Sequence, residues 1–210
     1  MAQKRRSQAP VQGGVKRRNN RQPMISATGS NSSVISYSVL GGNLNTPASG
    51  PALGERLFAP GNPNGLALDI GSKVVSYYSS ARFLPGTTVK WTPSVSFTTS
   101  GRIYVGFTDN PEVMAAINGL TGTAFMNAVK GLGDVQSFPV WQETAINFPV
   151  RYRRKMFDVN GLVLIDANVL DRSCQVGMFY AAEGAPPSIT LGSMWFHDKV
   201  QVEGMHPVAT

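Results

Sequence analysis

Between Thr88 and Thr98 the chain alternates apolar and polar positions without a miss. Val89, Trp91, Pro93, Val95 and Phe97 fall on one face; Thr88, Lys90, Thr92, Ser94, Ser96 and Thr98 fall on the other. Side chains leave a strand on opposite faces with a period of two, so this run predicts a half-buried antiparallel strand. A polar turn follows at Thr99-Ser100-Gly101. Ile103, Val105 and Phe107 then alternate with Arg102, Tyr104 and Thr108 as a second strand. The same period predicts strands over Ser33–Leu40, Thr144–Val150, Ser173–Ala181 and Ile189–Val202, the last bent near His197-Asp198. A short apolar piece begins at Arg56–Ala59, and Gly161–Asp166 reads as a strand buried on both faces.

The period changes in three places. Ile70, Val74, Tyr77 or Tyr78, and Ala81 stand at helical spacing, with Asp69 or Ser72 to cap the start, which predicts a short helix over Asp69–Ala81. Asp109-Asn110-Pro111-Glu112 has the form of a helix N-terminus. Asn110 accepts from free backbone N–H groups, Pro111 suits the first turn, and Glu112 favours its positive end. Val113, Ala116, Ile117 and Leu120 would form one face, and a second short helix from Ala124 to Lys130 would end at Gly131. Turn clusters at Gly61–Gly65, Pro85-Gly86 and Gly184–Pro187 separate these pieces. About eight strands with short helices only in the connections predict an all-β fold, an eight-stranded antiparallel jelly-roll sandwich. An immunoglobulin-like sandwich fits less well, because helices between strands are not its pattern.

Charge changes this picture at one end. Of the 19 Lys and Arg in the 210 residues, seven lie within the first 21: Lys4, Arg5, Arg6, Lys16, Arg17, Arg18 and Arg21. Twelve remain in the rest of the chain, against twelve Asp and Glu, so the excess of +7 belongs to the N-terminal stretch and the body is neutral. Residues 1–31 are otherwise rich in Gln, Asn, Ser and Gly, and bury too little to offset ordering, so a disordered arm is expected there when free. The remainder, 32–210, reads as one domain. A basic tail of this kind meets phosphates by releasing counterions, with strong salt dependence and little sequence preference. The arm has no aromatic residue on which a base could stack. A second basic run, Arg151, Arg153, Arg154 and Lys155 around Tyr152, would contact phosphates or line an exposed loop.

Catalytic chemistry is not written in the chain. The two histidines, His197 and His206, stand near no nucleophile motif, and no phosphate-cradling loop or zinc spacing occurs. Cys174, the one cysteine, excludes an internal disulfide and reads as a small buried hydrophobe. Trp91, Trp141 and Trp195 read as core or interface anchors rather than base-stackers. No apolar run reaches the length of a membrane span, and the basic N-terminus is not followed by the apolar segment of a secretory signal. Asp109, Glu112, Asp134, Asp158, Asp166 and Asp171 are capping or solvated carboxylates, or oxygen ligands for calcium shared between two chains.

Several motifs in order behind a basic arm carry a resemblance. They are Tyr77-Tyr78, Trp91-Thr92-Pro93, Thr98-Thr99-Ser100, Gly101 to Phe107, Asp109, and Gly192 to Val202. Over nearly its whole length the chain resembles the single jelly-roll coat proteins of small non-enveloped positive-strand RNA viruses, of the tombusvirus and sobemovirus type. In size it is similar to those of ourmiaviruses. The resemblance implies a capsid protein that forms an icosahedral shell of many copies and packages single-stranded RNA through its arm. It implies residence in the virion, and in host cytoplasm during assembly. It also implies calcium at subunit contacts. The family's calcium-binding members carry two aspartates one residue apart, where this chain has Asp109-Asn110-Pro111, so Asp109 alone is carried over. The charge pattern leaves a reading of another class: a monomeric nucleic-acid-binding β-module with a basic tail, of the movement or ribosome-associated kind. A carbohydrate-binding jelly roll would account for the body and leave the arm unexplained.

Overall fold

The chain's longest strand, Thr190–Met205, organises the molecule. The computed structural model describes residues 26–28, 32–58, 75, 78–148, 157–158, 168, 170–171 and 174–205. Along these run strands β1 (Ser26–Thr28), β2 (Ser32–Asn45), β3 (Ala52–Phe58), β4 (Tyr78–Phe83), β5 (Thr88–Pro93) and β6 (Arg102–Thr108). Two helices follow, α1 (Pro111–Asn118) and α2 (Gly122–Lys130). Strands β7 (Gln136–Pro139), β8 (Thr144–Ile146), β9 (Phe157–Asp158), β10 (Val176–Glu183) and β11 (Thr190–Met205) complete the order.

All pairings between these strands are antiparallel, and they form two sheets. In the large sheet β2, near the start of the chain, pairs along one side of β11 at its end, from Thr190↔Asn45 to Glu203↔Ser32. The other side of β11 is shared: β5 takes Gly192 to His197, and β4 takes Val200 to Met205. β4 and β5 thus act as one strand broken at 84–87. Thr87 spans the break, since its Oγ1 accepts from Lys199 N at 3.2 Å and Leu84 N donates to Lys199 O at 2.7 Å. β8 pairs with β5 and β9 with β4 in the same broken manner. The small sheet has the order β3-β10-β6-β7. With both broken strands counted once, and β1 set aside as a short hairpin partner of β2, the eight strands of a jelly-roll sandwich result.

The core forms where strand parity says it should. Val89, Trp91, Ile103, Val105 and Phe107 are all buried between the sheets with Phe58, Met178, Met194 and Phe196. The indole of Trp91 is fully enclosed, and its Nε1–H donates to Val140 O at 2.9 Å. A second cluster lies outside the small sheet, where Met114 and Ile117 of α1 and Phe125 and Val129 of α2 cover Leu57, Cys174 and Phe179. β10 is therefore buried on both faces, and glycines on the helix side of β10 and β6 allow close approach. A Cβ on Gly177 would stand 2.8 Å from Met114 Cγ, and one on Gly106 would stand 2.6 Å from Leu132 Cδ1.

Several expectations are corrected. The helical reading of Asp69–Ala81 fails at its end, because Tyr78–Phe83 is strand β4, held by β11 with Ala81 and Phe83 in the core. Of the rest of that segment only Val75 is described, and it is helical and buried. The alternation of Thr88–Thr98 continues past its strand, which ends at Pro93, and Phe97 is 80% exposed beyond it. Proline has no N–H to give a ladder, so the pairing stops there. The β11 irregularities fall between Thr190 and Gly192 and between Ser193 and Trp195, whereas His197 and Asp198 keep their register. The buried face of α1 is Met114 and Ile117, with Ala116 and Leu120 exposed. Cys174 is buried as expected, but it precedes β10 and packs under the helices instead of alternating within the strand. The expected strand Gly161–Asp166 lies outside the described residues.

Candidate functional surfaces

Asp109 sits where β6 turns into α1. Asn110, in extended conformation, accepts through its side-chain oxygen from Glu112 N at 2.9 Å and from Val113 N at 3.5 Å. Asn110 N in turn donates to Thr108 Oγ1 at 3.2 Å. The junction opens on a cleft of about 420 Å³, lined by Phe107, Val113, Leu132 and Val176 and by the carboxylates of Asp109 and Asp134. Calcium takes six to eight oxygen ligands. The Asn110 oxygen is committed to the helix cap, and Pro111 has no side-chain oxygen to offer. Among the described residues no three His, Cys, Asp or Glu side chains converge. The described residues of one copy therefore do not fit a calcium ion.

The expected phosphate-contacting residues, Lys4, Arg5, Arg6, Lys16, Arg17, Arg18, Arg21, Arg151, Arg153, Arg154 and Lys155, lie outside the described residues. Burial pushes the Cys174 thiol up to about 12, although backbone hydrogen bonding at Val176 and Phe58 pulls it the other way. It therefore stays protonated and is no nucleophile. His197 is exposed on the outer face of the large sheet, with its Nδ1 2.7 Å from Ser38 Oγ.

Sequence reasoning missed an ion pair in the middle of the sandwich. Arg56 of β3 and Asp198 of β11 meet across the two sheets at 2.5 Å, both inaccessible to solvent or nearly so. The guanidinium lies against the rings of Phe196 and Phe58, at 3.9 and 4.5 Å from their centroids. A signal was available: Asp198 has the parity of Phe196 and Val200, and Arg56 that of Phe58, so each charge stands at a core position. The surface carries other features. Lys90 pairs with Glu143 at 2.5 Å, and Lys130 pairs with Glu183 at 2.6 Å above the Tyr104 ring. Of the three tryptophans only Trp91 is core; Trp141 and Trp195 are exposed, and Trp195 is the register partner of exposed Leu40.

Neither a family model nor a curated protein matches the sequence. Solved structures do match, over most of the chain. A tobacco necrosis virus structure aligns at a TM-score of 0.68 and 16% identity, covering 89% of this chain and 88% of its own. The semi-empty virus-like particle of the giant freshwater prawn Macrobrachium rosenbergii nodavirus aligns at 0.63 and 12%, covering 97% and 95%. Cocksfoot mottle virus aligns at 0.60 and 12%, covering 81% and 93%. At such identities the likeness is one of fold. The chain has the jelly-roll fold seen in the capsid proteins of tombusviruses, sobemoviruses and nodaviruses.

Proposed function

We propose that this chain is a viral coat protein. Residues 32–210 associate with copies of themselves into a closed icosahedral shell, and residues 1–31 point inward and neutralise single-stranded RNA. The observation that carries this reading is a division of labour: a capsid-type jelly roll whose formal charge cancels, joined to a short stretch holding the whole excess of +7. A neutral body packs against its copies without long-range repulsion. The arm residues, gathered at high local concentration inside a shell, add many weak phosphate contacts into a strong one.

The purified protein is expected to form megadalton particles containing RNA, seen by sedimentation and electron microscopy. Deleting residues 1–21 is expected to leave the body folded and the packaged RNA lost. A full-length protein that binds RNA but sediments as a monomer would instead support the nucleic-acid-binding module. Normal packaging by the truncated protein would refute the role of the arm. The described residues of one copy do not complete a calcium site at Asp109, and calcium shared between two copies at a subunit contact is a separate proposal.

A further inference from the structure

The outward face of the large sheet gathers a tryptophan among cations and hydroxyls. Along β11 the even positions Met194, Phe196, Asp198 and Val200 are buried, while Trp195, His197 and Lys199 are exposed. Two-residue steps in an antiparallel strand advance about 6.8 Å, so these three form a row about 14 Å long. Lys90 of β5 is the register partner of Trp195, and Arg82 of β4 is that of Gln201. Ser36 and Ser38 of β2 stand opposite Lys199 and His197, and Thr88 of β5 also stands opposite His197. The indole is 38% exposed, beside Leu40 at 41%.

Isolated surface hydrophobes are ordinary, and it is the company of this one that is informative. The centre of a protein–protein interface is depleted in Lys and Ser, and here both surround the tryptophan. Single-stranded nucleic acid is held in the opposite way, with bases stacked on an aromatic ring and phosphates tracked by cations. Lys90, Arg82 and Lys199 supply the cations of this face, where Glu143 stands beside Lys90, Glu203 beside Gln201 and Asp158 opposite Ser80. The face is also continuous with the entry of the arm, because β1 and β2 belong to this same sheet and the basic stretch precedes them.

We infer that this sheet face is a second RNA contact, in which Trp195 stacks on a base and Lys90 and Lys199 meet the adjoining phosphates. The inference rests on the reading that the chain packages RNA, but it uses residues separate from the arm. It moves Trp195 from interface anchor to stacking platform.

The test titrates full-length protein with oligouridylate over a range of salt, and maps ultraviolet cross-links to peptides. Trp195→Ala is expected to weaken binding roughly 5- to 150-fold at every salt concentration with the salt slope unchanged. Trp195→Phe is expected to restore most of it, and Lys199→Gln to lower the slope by about one. Cross-links are expected in the β11 peptide as well as in the arm. Wild-type affinity in Trp195→Ala, or cross-links confined to residues 1–31, would overturn the sheet contact and leave arm-based packaging standing. So would a Trp195→Ala protein that binds RNA normally but no longer assembles, which would make the face a subunit contact. A wild-type protein that binds no oligouridylate would take the packaging reading down with it.

Discussion

Arg56 and Asp198 show how much a single residue's parity can mean. Each is a charge placed by strand period at a position that faces the core, and the two sheets bring them together. Removing one partner leaves the other charged and buried, at a cost of about 3–5 kcal/mol. Asp198→Ala is expected to lower the denaturant midpoint accordingly, and Arg56→Met with Asp198→Leu to recover most of the loss. A single mutant as stable as the parent would contradict the burial. Cys174 gives a second prediction. The folded state holds its thiol proton to about 12, against an ordinary value of 9.0. Its contribution to stability is therefore intact below about 9 and is lost as pH rises toward about 12, since the unfolded chain ionises first. Alkylation at mildly alkaline pH should be slow in the native protein and fast in denaturant. Burial of Cys174 was legible from its apolar surroundings; its place beneath the helices was not, because that depends on which face of β10 they cover.

At the scale of elements, local chemistry was a good guide wherever the signal was covalent or one turn long. The cap at Asn110, the proline after it and the stop at Gly131 are all as the residue types dictate. Asn110→Ala should cost about 1 kcal/mol, while Asn110→Asp should be nearly neutral. Thermal unfolding of the two variants checks this, and equal melting temperatures would mean that the cap does not hold the junction. Periodicity misled where a partner overrode it. Tyr78 to Phe83 carries part of a helical pattern but lies beside β11, whose unpaired edge it completes. Pairing of a strand that long outweighs a weak local preference. Likewise α1 turns Met114 inward onto Gly177, where any Cβ would collide with it.

For the whole molecule the deciding quantity is where charge sits. If all seven basic residues of the arm meet phosphates, log affinity for single-stranded RNA should fall against log salt with a slope near −5, from about −0.7 per contact. Removing residues 1–21 should abolish most of that slope; a slope unchanged by the deletion would place RNA binding elsewhere on the body. This partition into arm and body follows from the chain by itself, because charge and composition do not depend on folding. So does the all-β class, because a period of two is a property of the strand backbone. The tertiary structure alone decided which faces met. It set Arg56 against Asp198, joined β4 and β5 into one broken strand along β11, and left Trp195 outward while Trp91 went in. Parity divides residues between two faces, but only the packing of one sheet on another says which of the two is dry.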